Sequence, residues 1–271
     1  MNTARLKNIV ILILVLANAF LLVLLLSRRA EESAARDRAL AQLTSLFTAD
    51  GVALDAGLLE NLPASLLDVQ PARDLEAEQA FAEGIIGSVT SIDSGGGIYR
   101  YYSSDGLSSG MCLIRSSGAL EATLSRPVDD PEQFCSDLCV PLGYRSLEIL
   151  RDGGRTVVTA TRFLNHQEVY NVSLTFTFYD GTLTEVSGSY LPLIDLTDAG
   201  ETAFDATTAL VRFLDYRNAT GVVCTQIHWL SAGYLLQNTA SAPLQLIPVL
   251  RVETDVYSYY VNLLTGEVSR A

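Results

Sequence analysis

The run from Ile9 to Leu26, IVILILVLANAFLLVLLL, constrains this chain more than any other feature. Apart from Asn18 it is apolar for 18 residues. At about 1.5 Å per residue a helix of that length spans about 27 Å, close to the thickness of a hydrocarbon core. A cleaved secretory peptide would carry a shorter apolar region followed by small residues. Here Ser27-Arg28-Arg29 follows instead, so the run is expected to be an uncleaved, single-pass membrane anchor. Asn18 sits in mid-span, where an amide either bonds its own helix or donates across to a partner helix. It is the one partner-contact candidate that the sequence names.

Charge divides the chain at the same place. The first 29 residues hold Arg5, Lys7, Arg28 and Arg29 and no acid. All 31 acidic residues therefore lie beyond, against 14 of the 18 basic ones. A body that acidic will not gather nucleic acid or anionic lipid through its general field, so no nucleic-acid partner is expected. Basic residues flank the apolar run on both sides, and the charge rule leaves its orientation open.

Beyond the run, the residues from Ala30 to Phe47 repeat Leu40, Leu43, Leu46 and Phe47 at helical spacing, with a stop at Asp50-Gly51. Then a pattern recurs three times: a helix, followed by a meander of short strands. The helix candidates are Leu75–Ile86, the stretch opening at DDPEQFCSDLCVPLGY, and DAGETAFDATTALVRFLDYR, where Asp198 can cap. Asp129 or Asp130 caps the second, Pro131 fits its first turn and Gly143 closes it. Asp152-Gly153 and Asp180-Gly181 read as hairpin turns. In FTFYDGTLTEVSG apolar and polar residues alternate, as in a sheet with one wet face. The expected fold class is α+β: an N-terminal transmembrane helix followed by repeated helix-plus-antiparallel-meander units. The expected divisions are 1–8 before the span, 9–26 the span, 27–50 a juxtamembrane helix, 51–127 a first α+β unit, and 128–271 two more.

Candidate chemistry is sparse. GLSSG, Gly106 to Gly110, matches the serine-elbow pattern, but a strand-like segment follows where an elbow needs a helix. His166 and His228 are the only histidines, the first expected in a loop between strands and the second in a strand beside Trp229, and both suit packing or surface roles better than catalysis. DSGGG, Asp93 to Gly97, lacks the helix and lysine of a phosphate loop. Cys135 and Cys139 lie one helical turn apart, with Cys112 and Cys224 in strand-like runs. A zinc site is weak with so few partners, and an even count permits disulfides. No catalytic, cofactor-binding or metal-ligating residue is expected, and the chain is expected not to be an enzyme.

Several stretches together resemble a known family. They are LANAFLLVLL, GVAL with LENLP, FAEGIIG, LTEVSGSYLP, TALVRFLD, GVVCTQIHWLSAGYLL and the closing LIPVLRVETDVYSYYVNLLTGEV. The chain is similar to the YycI-type regulatory proteins, relatives of YycH that accompany the WalK/WalR two-component system, and its end is PepSY-like. The resemblance implies a cytoplasmic N-terminus and an extracytoplasmic body. It implies regulation of a WalK-like sensor histidine kinase, and so of cell-wall metabolism, through membrane-helix contacts and a YycH-like sister protein. The alternative is an extracytoplasmic PepSY-like module that inhibits a peptidase or holds a ligand. A wall hydrolase is a third class, with no motif in its favour. In all three readings Tyr257, Tyr259 and Tyr260 first serve cross-strand packing in a terminal hairpin.

Overall fold

The computed structural model describes residues 38–271 except 60–61, 64–65, 105–108, 195–202 and 239–243, together with Asn18, residues 20–22 and Ser27 of the preceding stretch. The first described element, α1 (38–49), buries Leu43 and Phe47 in the core. Its end is closed by the amide of Val52 on the Phe47 carbonyl (2.8 Å), with Gly51 in the left-handed region.

Three further helices follow. Helix α2 (Leu75–Ile86) is capped by Asp74, whose carboxylate accepts from the Ala77 amide. At the other end of α2 the Arg126 guanidinium donates to the carbonyls of Gly84 and Ile85, meeting the negative end of the helix dipole. Helix α3 (Pro131–Cys139) starts as its sequence demands. Asp130 accepts from the amides of Glu132 and Gln133, Pro131 fills the first turn, and Gly143 (φ 77°) ends the 3-10 turn beyond it. Helix α4 (Ala206–Thr220) is capped by Asp205 rather than by Asp198, which lies outside the described residues. Gly221 (φ 70°) stops it.

Each of these helices precedes four strands: β1 (Val89–Asp93), β2 (Ile98–Ser103), β3 (Ser109–Arg115) and β4 (Ala119–Pro127); β5 (Tyr144–Asp152), β6 (Arg155–Leu164), β7 (Gln167–Tyr179) and β8 (Thr182–Ser189); and β9 (Ile227–Gln237), β10 (Gln245–Thr254), β11 (Ser258–Asn262) and β12 (Val268–Arg270). They do not form separate sheets. Strand β4 pairs antiparallel with β8, giving the order β1-β2-β3-β4-β8-β7-β6-β5. Strand β7 (Gln167–Tyr179) then reaches β9 through one parallel bridge, Val169 to Tyr234. The expected class is therefore corrected. The protein is mostly one large mixed β-sheet, because edge strands that a set of independent units would leave unpaired are satisfied by one another.

A second correction concerns the membrane. Among the described residues no helix is long and apolar enough to cross one. The single-pass anchor expected over 9–26, and the localisation and membrane partnership drawn from it, are not supported. Most of that run lies outside the described residues. Asn18 itself is helical and exposed, as are Phe20, Leu21 and Leu22.

One face of the sheet is packed by the helices. Phe81 of α2 stacks on Tyr190 (4.9 Å), Phe134 of α3 meets Phe176 and Phe178 edge-on, and Phe213 and Tyr216 of α4 meet Tyr259. Arg73 and the buried Glu78 form a forked ion pair at 2.7 Å and 2.8 Å beside them. The four cysteines are free and buried. Cys112 lies in β3 (Ser109–Arg115), whereas Cys224 lies in the connection from α4 to β9, not in a strand.

Candidate functional site

The junction between β7 and β9 prepares the site. On β6 (Arg155–Leu164), pairing jumps from Thr161–Ser173 to Phe163–Glu168. Residues 169–172 of β7 thus leave β6 while only Arg162 stands opposite them. Freed from that ladder, they join β9. The Asn171 amide donates to the Leu236 carbonyl (2.8 Å) and accepts from its amide (2.7 Å), standing in for a strand backbone. The Tyr170 hydroxyl donates to Ser231 Oγ at 2.9 Å. Gly233 makes the approach possible: a Cβ there would lie 2.5 Å from the Glu168 carbonyl and 2.8 Å from the Tyr170 ring.

Register then decides what the face opposite α4 displays. Ser231 pairs with Arg251 and Arg251 with Tyr260; Trp229 pairs with Glu253 and Glu253 with Ser258. The Tyr170 ring crosses this face and stacks on Tyr260, with centroids 5.3 Å apart and planes 31° apart. The Arg251 guanidinium lies 5.5 Å from the Tyr170 ring centre and pairs with Glu253 at 2.8 Å. Its Nε is buried without a partner. Burial pushes the Tyr170 hydroxyl up to about 12, against the lowering effect of the Ser231 bond, and burial raises Tyr260 too. Both therefore remain neutral at physiological pH.

Two hollows flank the cluster. One, of about 290 Å³, lies between Leu58, Leu62 and Pro63 on one side and His166, Gln167 and Trp229 on the other. The other, of about 110 Å³, is bounded by Leu235, Val249, Tyr260, Asn262 and Glu267. Trp229, 56% exposed, lines the larger of the two. The result is a strip of aromatic surface with a fixed guanidinium and neutral hydroxyls.

The terminal tyrosines that the sequence grouped are now separated. Tyr259 is buried under α4, Tyr260 belongs to the strip, and Tyr257 lies beneath Arg270, whose guanidinium is 3.4 Å from its ring centre. His166 occupies the β6–β7 turn, where it and Asn165 both have positive φ, and it lines the larger hollow. His228 is exposed on β9. Asn18 is not brought to this strip by any described contact. Ser108, the middle serine of GLSSG, lies outside the described residues. Among those residues no group of three or more His, Cys, Asp or Glu could hold a metal ion. The sequence reading did not find Tyr170, Ser231 or Arg251. The one signal available was that the chain has a single tryptophan, Trp229, set in a strand.

No family model matches the chain, and no curated protein matches it, so membership of the YycI-type family is not confirmed. Among solved structures, it is similar to an uncharacterized protein from Eubacterium rectale, at 11% identity and a TM-score of 0.40. That match covers 76% of this chain and 80% of the other. It is also similar to the C-terminal domain of YpeB from Bacillus megaterium, a PepSY-like fold. Identity is 10% and the TM-score 0.36, over 74% of this chain and 99% of that domain.

Proposed function

We propose that this protein is a non-enzymatic binding module, PepSY-like in kind, which recognises a protein partner through the strip around Trp229. The observation that carries the reading is the placement of the chain's only tryptophan. It is 56% exposed and stands, by strand register, on the same sheet face as Arg251 and Tyr260, which with Tyr170 are already held in fixed positions. Binding energy at protein interfaces concentrates on Trp, Tyr and Arg, and side chains immobilised beforehand lose less entropy on association. The acidic body adds long-range attraction toward a basic partner surface.

Of the partners that the sequence resemblance implies, the YycH-like sister protein suits this reading, because two folded bodies can meet without a membrane helix. Control of a WalK-type kinase through such a helix has no counterpart in the described structure and is not carried forward. Inhibition of a peptidase and retention of a ligand remain the two outcomes that such binding would serve.

The single tryptophan gives a direct test. The purified chain is titrated with the YycH-like protein of the same genome while Trp229 emission is followed. Trp229→Phe, which removes the signal, serves as the blank, and Trp229→Ala is measured by calorimetry. Expected are a blue shift on binding and at least a tenfold weaker Kd for Trp229→Ala. Binding without any change in emission would remove the strip from the interface. No binding at micromolar concentrations would overturn the choice of partner.

A further inference from the structure

Arg162, the residue opposite the β7 excursion, is only 2% exposed. Among the described residues no carboxylate forms an ion pair with it. Its contacts are few. One Nη donates to the Pro192 carbonyl at 2.9 Å, and the guanidinium lies 5.4 Å from the centre of the Tyr144 ring. Its Nε is buried without a partner. The site is built to hold this side chain, since Gly143 (φ 77°) faces it and a Cβ there would overlap an Nη nitrogen. Neither neighbouring phenol supplies the missing negative charge. The Tyr144 hydroxyl donates to the Ser189 carbonyl and accepts from the Leu191 amide, and burial keeps it protonated. The Tyr190 hydroxyl is buried, unpartnered and likewise held protonated by burial. Among the described residues nothing balances this charge, and a buried guanidinium without a counter-charge is among the costliest features that a folded chain can carry.

We propose that Arg162 binds a small inorganic monoanion of the chloride class at its unpaired Nε edge. One positive charge requires one negative charge, and a dianion would leave an excess of the opposite sign in the same buried place. The anion would sit beneath the β7 excursion and stabilise the link from the eight-stranded part of the sheet to β9. This inference is independent of the binding strip, so either can fail alone.

The test uses the full chain at constant ionic strength, with chloride replaced stepwise by gluconate. The native protein is expected to gain about 3 °C in Tm as chloride rises, saturably. It is also expected to broaden the chloride-35 resonance, and Arg162→Met to abolish the broadening. Should Arg162→Met fail to fold, Arg162→Lys keeps the charge but loses Nε, and a half-saturating chloride concentration at least threefold higher is expected. A Tm and a linewidth that do not respond to chloride would overturn the proposal. Equal broadening by Arg162→Met or an unchanged half-saturation in Arg162→Lys would do the same, and would show an adventitious ion only.

Discussion

The eight-stranded part of the sheet and the C-terminal four strands share a plan: helices on one face, the other face open. Their open faces differ. Across β6, β7, β8 and β4 the register aligns Thr159, Thr175, Ser187 and Glu121, with Val157, Thr177, Glu185 and Thr123 in the next row. Apart from the buried Thr177, these are polar or β-branched side chains, half-buried or exposed, none of them aromatic. Across β9, β10 and β11 the matching rows hold Trp229, Glu253, Ser258 and Ser231, Arg251, Tyr260. The covered faces show how a core is made. The contrast between the open ones shows where the molecule spends large aromatic side chains outside a core.

The largest effects should come where the two parts agree. Phe176→Ala and Phe213→Ala each truncate a fully buried ring. Both should cost about 3–5 kcal/mol in urea unfolding, with one cooperative transition. Two separate transitions would break the continuity between the parts. Next comes the junction. Asn171 is itself exposed, but its two bonds to the Leu236 backbone are part-buried, and Asn171→Leu leaves that amide and carbonyl without the side chain that satisfies them. A loss of about 2–3 kcal/mol is expected from chemical denaturation, and much less would show that the junction does not rest on Asn171.

Alkaline pH should weaken the whole fold. Burial pushes the Cys112 and Cys139 thiols up to about 12 from an ordinary value of 9.0. In the unfolded chain they ionise near the ordinary value. Between those values the folded state holds protons that the unfolded state has released. Stability is therefore full below about pH 9 and falls as pH rises toward 12. Unfolding curves across that range check the sign, and a stability that rose with pH would contradict the burial of these thiols. The smallest effects should lie on the open faces. Glu121→Ala breaks an exposed pair with Arg115 (2.9 Å) and should change stability by less than about 0.5 kcal/mol. Trp229→Ala should cost under about 1 kcal/mol in stability while abolishing most partner binding. A greater loss of stability than of binding would make Trp229 a structural residue.

Much of the element structure was legible because its signals are local. Asp130 before its helix, Pro131 inside it and Gly143 after its end act within a turn of where they stand, whereas the caps Asp74 and Asp205 and the stop at Gly221 were not singled out. The hairpins at Asp152-Gly153 and Asp180-Gly181 were equally plain. What stayed hidden is long-range. Nothing in ALEATLSRP or TLTEVSGS shows that these strands pair, and the bridge from Val169 to Tyr234 depends on an irregularity opposite Arg162. The binding strip was missed for the same reason. Tyr170, Trp229, Arg251 and Tyr260 are spread over 91 positions of numbering, and only pairing register brings them to one face. The apolar run at 9–26, the strongest signal by composition, has no counterpart in any described membrane-crossing helix.

The most direct measurement is amide hydrogen exchange on the full chain with and without its saturating YycH-like partner, read peptide by peptide across both open faces. Added protection is expected in peptides covering 227–235, 249–254 and 258–262, and unchanged exchange in 119–127 and 173–189. Protection confined to the hydroxyl rows of 119–127 and 173–189, with the Trp229 peptides unchanged, would contradict a binding face at the strip.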